Sequence, residues 1–242
     1  MADLGLPAPT MMPDARIAVD LLRDTVDAAY ESGTPLTLVP LAPMTNIALY
    51  ARTHPESFAR LGRLVFMGGG AEVSNATAAA EFNVFHDPEA TALVLDACAE
   101  HDLPATMYGL DVFYEPLVSR AEAEGLLALG TPVSRLAGGL MSFHHRTFAD
   151  GSATIGDAGA VAALLVPEAI RTERLPVRVE LAGTWTRGRT IVDRRDWSGD
   201  MAFDPHGLAP ATVDVALGID AEAVKDLWLA TVRGELGSTG TA

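Results

Sequence analysis

Apolar positions along the first half of the chain follow two different spacings. In "PDARIAVDLLRDTVDAAYESG", Ile17, Leu21, Leu22, Val26 and Ala29 recur at helical spacing. Pro13 near the start and Gly33 just past the end punctuate that helix. "LTLVPL" (36–41), "RLVFMGG" (63–69) and "ATMYGLDV" (105–112) are instead short apolar runs, which predict buried strands. Between the first two, "TNIALYARTH" (45–54) predicts a helix with Thr45 or Asn46 near its cap. In "DPEATALVLDA", Asp87 is the expected cap and Pro88 the first helical residue.

Further on, "LVSRAEAEGLLAL", "SRLAGGLMSFHHRTF" and "AGAVAALLVPEAI" predict three more helices, the last reached through the polar loop "ADGSATIGD". The pattern then changes. "VRVELAG" and "RTIVD" read as strands around the turn-rich "TWTRG". "ATVDVALG" is a last strand and "DAEAVKDLWLATVRG" a closing helix. Strands alternating with helices predict an α/β fold, an open and mainly parallel sheet with helices on both faces. With no repeat, low-complexity tract or long linker, residues 1–242 are expected to form a single domain. In such sheets ligands sit beyond the carboxyl ends of the strands. That rule gathers "APMTN", the loop after residue 67 and "LDVFYEP" around one expected site.

Composition narrows the partners. The chain carries a net charge of −15, which argues against nucleic acid, and charged residues are 20%, too few for a disordered chain. No apolar run approaches the roughly 20 residues of a membrane span, and no signal peptide is evident, so the expected location is cytoplasmic. The single cysteine, Cys98, lies in an apolar run and reads as a buried thiol. Trp185, Trp197 and Trp228 read as packing residues.

The stretch "GGGAEVSNATAAAEFNVF" (68–85) has little to pack a core, yet it holds Asn75, Glu81 and Asn83. Asn supplies donors and an acceptor and Glu supplies acceptors, a set suited to the vicinal hydroxyls of a sugar. A loop carboxylate is ordinarily just solvated, so spacing alone leaves Glu81 open between the two readings. Asp157 is either the N-cap of the helix that follows or a ligand for a hard metal. Asp111 is either a loop cap or a pocket residue. His144 and His145 are adjacent on a predicted helix, about 100° apart, so at most one faces a given pocket. The glycines lack the lysine and spacing of a phosphate-binding P-loop.

Taken together, "LVPLAPMTNIAL", "LVFMGGG…SNATAAAEFNVFHDPEA", "GLDV", "GDAGAVAALLVPE" and "GTWTRGRTIVD" resemble the inosine–uridine-preferring nucleoside hydrolase family, from about residue 16 to about residue 235. The resemblance implies a Rossmann-like α/β fold and hydrolysis of the N-glycosidic bond of ribonucleosides to base plus ribose. By motif, it implies that Met67, Asn75, Glu81, Phe82 and Asn83 line and hold the ribose. It further implies a Ca²⁺ cofactor, with Asp157 as a carboxylate ligand and Leu41 giving a backbone carbonyl. Ribonucleoside or ribose is then the expected partner, and a homo-oligomer, dimer or tetramer, the expected assembly.

Two departures from the family pattern stand out. The family's Asp-x-Asp-x-Gly-x-Asp-Asp strand end, which carries most metal carboxylates and the general base, is absent from this chain. The expectation is therefore an N-terminally truncated fold, with N-terminal strand(s) missing and activity in doubt; a nucleoside-binding paralogue or partner subunit is the alternative. The family's histidine before the late aspartate is here Gly156, which leaves His144 or His145 as tentative acid.

Overall fold

The computed structural model describes residues 6–148, 151, 153–196 and 210–235. Its contacts divide the chain into two units. One comprises Ala15–Val112 and Arg171–Gly218, the other Met1–Asp14, Phe113–Ile170 and Ile219–Ala242.

The first unit holds the sheet. Its strands are β1 (Thr37–Leu38), β2 (Arg63–Met67), β3 (Ala105–Tyr108), β4 (Ile170–Val179), β5 (Thr190–Val192) and β6 (Ala211–Ile219). They lie in the order β1-β2-β3-β6-β4-β5. The β1–β2, β2–β3 and β3–β6 pairings are parallel and β4–β5 is antiparallel, so the α/β sheet is mixed. Leu64, Phe66 and Met107 of the central strands are wholly buried. Unbroken apolar runs are what a strand covered on both faces requires.

Helices α1 (Ala18–Glu31), α2 (Thr45–Thr53), α3 (Pro55–Phe58), α4 (Phe82–His86) and α5 (Pro88–Glu100) belong to the same unit, and the short α6 (Leu110–Phe113) follows β3. Tyr50, Phe58, Val94 and Leu95 from these helices join Leu64, Phe66 and Met107 in one core. The α5 start is as its sequence implies. The Asp87 carboxylate accepts from the Ala90 amide at 3.0 Å, with Pro88 in the first turn. Its other oxygen accepts from the Thr45 hydroxyl at the head of α2.

Several elements differ from the sequence expectation. β4 covers Ile170–Val179 where "VRVELAG" is expected, and the helix Ala158–Leu165 ends short of "VPEAI". α1 begins at Ala18 rather than near Pro13, because Ile17 is extended and starts the hydrogen-bond ladder with no side-chain cap. β1 is cut to two residues, although the Pro40 carbonyl still accepts the Met67 amide at 3.0 Å. β3 stops at Tyr108, since the Gly69 carbonyl takes the Leu110 amide at 2.9 Å and turns the chain into α6.

The second unit is built from α7 (Arg120–Leu129), α8 (Pro132–Thr147), α9 (Ala158–Leu165), a 3₁₀ turn (Pro167–Ala169) and α10 (Ala221–Arg233). α7 opens with a reciprocal cap. Ser119 Oγ accepts from the Glu122 amide at 3.2 Å, and the Glu122 carboxylate accepts from the Ser119 amide at 2.7 Å. Leu126, Ala137 and Leu229 bring α7, α8 and α10 together, with Trp228 against them. The tryptophan expectation holds for Trp228 and fails for Trp185, which sits in the turn before β5 and is 86% exposed. Trp197 lies outside the described residues. Among the described residues no helix is long and apolar enough to cross a membrane.

Candidate functional site

The loop that leaves β2 is held together by its own buried carboxylate. Glu81 is 3% exposed and is the N-cap of α4. Its Oε1 accepts from the Asn83 amide at 2.8 Å. Its Oε2 accepts from the Val84 amide at 3.0 Å and from the Gly69 amide at 2.9 Å, just beyond the end of β2. A single carboxylate thus ties the helix start to the strand end. It offers about four acceptor positions, so these three bonds leave about one, on Oε1, for a ligand.

Asn83 donates from Nδ2 to the Met67 carbonyl at 3.1 Å and lies 3.2 Å from the Met67 sulfur. Those bonds use the amide nitrogen; its Oδ1 is the acceptor end. Asn75 Oδ1 accepts from the Phe82 amide at 2.9 Å, and the Ala80 carbonyl gathers the amides of Asn75, Ala76 and Thr77. The structure therefore brings Met67, Asn75, Glu81, Phe82 and Asn83 into one hydrogen-bonded loop. Met67 is buried, while Phe82 is half-exposed with its ring 4.0 Å from that of His86.

The glycines are dictated by crowding. Gly69 has φ +70°, and a Cβ there would fall 2.7 Å from Thr190 Cγ2. At Gly70 a Cβ would fall 2.3 Å from the Val73 carbonyl oxygen. Asp111 proves to be a loop cap. Its carboxylate accepts from the amides of Ala71 at 2.6 Å, Glu72 at 2.9 Å and Val73 at 3.3 Å. Sequence reasoning missed Arg189 and Thr190, which also grip this loop. Both lie in the quoted "TRGRTIVD", but only the fold shows what they touch.

Leu41 is exposed in the turn that follows β1. The remaining candidates belong to the helical unit. Asp157 occupies the N-cap position of α9, as one of its two readings expects, but its side chain makes no capping hydrogen bond. Although it keeps solvent exposure, surrounding protein desolvates the carboxylate and raises its pKa. Among the described residues no group of three or more His, Cys, Asp or Glu could hold a metal ion. Ca²⁺ takes about six to eight oxygens, so the residues present do not by themselves fit it. Gly156 has φ +59°, and a Cβ there would lie 3.0 Å from Phe113 Cζ. That geometry explains why this position has no side chain.

His145 is 7% exposed. Its Nδ1 meets the Gly151 carbonyl, which makes Nδ1 the protonated nitrogen, and its Nε2 has no partner among the described residues. Arg120 donates to the His145 carbonyl at 2.8 Å. His144 keeps solvent access, with its ring 5.1 Å from that of Phe148.

Comparisons with known proteins identify the family of the chain. The pyrimidine-specific ribonucleoside hydrolase RihA of Shewanella sp. (strain ANA-3) is 37% identical over 228 residues, covering 92% of this chain and 67% of the relative. RihA of Shewanella woodyi is 38% identical over 202 residues, covering 81% of this chain and 62% of the relative. The chain thus spans somewhat under or about two thirds of the length of these relatives. The solved purine-preferring ribonucleoside hydrolase from Gardnerella vaginalis superposes with a TM-score of 0.78 at 28% identity, covering 94% of this chain and 69% of that one. Residues 1–226 match the profile of the inosine-uridine preferring nucleoside hydrolases, and with these relatives the match shows that the chain belongs to that family.

Proposed function

We propose that this chain carries the sugar-binding part of a ribonucleoside hydrolase, an enzyme that cleaves the N-glycosidic bond to base plus ribose. The observation that carries the reading is the wiring of Glu81. Its carboxylate is fixed by three backbone amides yet keeps an acceptor position on Oε1. Asn83 Oδ1 adds a second acceptor, and Met67 and Phe82 supply apolar walls. A ribose held by its hydroxyls is oriented for attack, and fixed oxygens beside it favour the positive charge that spreads over the ring in an oxocarbenium-like transition state. Both relatives are named for pyrimidines and the solved neighbour for purines, so the sugar is the shared part of their substrates.

Calcium, expected from the resemblance, would activate and orient a water when bound. Asp157 is the carboxylate of this chain that would ligate it, and desolvation by the surrounding protein raises its pKa. Leu41 would contribute only a backbone carbonyl. Since these residues do not fit the ion on their own, no step is routed through it. Gly156 offers no proton to a departing base. Of the two histidines, His144 is the better source, because His145 is buried with Nδ1 engaged.

The proposed setting is cytoplasmic and the proposed assembly a homo-oligomer. Support for assembly comes from α8, where Val133, Leu136, Leu140 and Phe143 are 42–58% exposed at helical spacing. A second reading, a nucleoside-binding chain without turnover, is supported in that no metal-holding cluster of His, Cys, Asp or Glu is found among the described residues. Uridine and inosine binding, followed with ribose release in the presence of calcium, decides between them. Binding with release supports the hydrolase, and binding without release supports the second reading. Failure to bind either nucleoside overturns both.

A further inference from the structure

A loop without regular structure needs external anchors if it is to present side chains to a ligand, and the strand β5 supplies them. Thr190 is 2% exposed. Its hydroxyl accepts from the Gly70 amide at 2.9 Å and donates to the Gly70 carbonyl at 2.7 Å. One side chain thus satisfies both polar groups of Gly70. Beside it, the Arg189 guanidinium donates to the Ala71 carbonyl at 3.1 Å and the Ala79 carbonyl at 3.3 Å. That spans the loop from its first turn to the residue two before Glu81. Arg189 and Thr190 are themselves held firmly. Thr190 pairs with Val179 of β4, and the Glu180 amide donates to the Arg189 carbonyl at 2.9 Å. The preceding Arg187 reaches Glu89 of α5 at 2.7 Å.

We propose that Thr190 and Arg189 are positioning residues for sugar binding, acting through the loop and not by touching the ligand. The inference rests on the sugar-site reading above. Gly69 gives its amide to Glu81 and Gly70 is fixed by Thr190, so the place of the strand end relative to the carboxylate depends on β5. Arg189 sets the other end, where Ala80 collects the amides of Asn75, Ala76 and Thr77. Removing either anchor lets the two halves of the clamp drift while leaving the core strands intact.

Thr190→Val keeps the shape of the side chain and deletes both hydrogen bonds; Thr190→Ser restores the hydroxyl. Arg189→Met deletes the bridge at a half-buried position and carries the test if Thr190→Val does not fold. Each variant is checked for native circular dichroism and titrated with D-ribose by ¹H–¹⁵N correlation spectroscopy. Thr190→Val and Arg189→Met are expected to bind at least about tenfold more weakly than wild type, and Thr190→Ser within about threefold. Ribose affinity unchanged in both deletions overturns the inference, as does a Thr190→Ser loss equal to that of Thr190→Val, which marks a merely structural role. If the wild-type chain shows no ribose-dependent shifts, the sugar-site reading fails and this inference with it. Wild-type binding with unaffected variants sinks the inference alone.

Discussion

Substituting Glu81 by Gln tests the wiring of the loop directly, because the change is nearly isosteric and the site is buried. The amide of glutamine has one oxygen where the carboxylate has two. Placed at the Oε2 position, that oxygen keeps the Gly69 and Val84 amides. The new NH₂ then faces the Asn83 amide, so two donors meet where a 2.8 Å bond stood. The charge that strengthens the other bonds is lost as well. A hydrogen bond to a charged group contributes about 1.5–3 kcal/mol, and an unsatisfied buried donor costs about 1–3 kcal/mol, so the expected loss is about 3 kcal/mol. At 3% exposure, solvent offers little rescue. In a chain of this size each kcal/mol moves Tm by roughly 2–4 °C, which predicts a fall of roughly 6–12 °C by calorimetry. A Tm within about 2 °C of wild type would refute the reasoning, since it would mean that the carboxylate does not hold strand end and helix start together.

Asp157→Asn carries a signed pH prediction. Desolvation raises the folded pKa above the unfolded value, so the folded state holds the proton longer. The group's contribution is fully present below the unfolded pKa and lost as pH rises through the folded pKa; the charged form is a net cost at neutral pH. The variant should therefore raise Tm slightly at pH 7 and bring no gain at pH 3, and a lowered Tm at pH 7 would contradict the desolvation argument. Gly156→His should destabilise by roughly 1–2 kcal/mol in urea denaturation, because the residue has φ +59° and meets Phe113. Burial pushes the Cys98 thiol pKa up to about 12, so a thiol reagent at pH 8 should label it only after unfolding.

The parts legible in the sequence were those fixed by local chemistry. Residues 64–67 are an unbroken apolar run and 105–108 is interrupted only by Thr106; both became buried strands. Asp87–Pro88 carries a helix start in two residues. The "GGG" segment was legible only as something other than a P-loop; the crowding that requires glycine at 69 and 70 appears in the structure. What stayed hidden depends on partners distant along the chain. The two local bonds of Glu81, to the Asn83 and Val84 amides, are those of an ordinary helix cap; the Gly69 amide that ties it to the strand end lies 12 residues away. Thr190 meets Gly70 across 120 residues. The tryptophan in "TWTRG" looked like core material, yet the turn carries it outward. Asp157 holds the N-cap position its sequence suggests, and only the structure shows that its carboxylate makes no capping bond there.

The central claim is that residues 67–83 form a ribose site. Titrating the ¹⁵N-labelled chain with D-ribose, and separately with uracil, tests it most directly. The account predicts saturable ribose shifts concentrated at the amides of Gly69, Phe82, Asn83 and Val84, with no matching response there to uracil. Ribose shifts absent from these amides, or no stronger than those elsewhere in the chain, would contradict it.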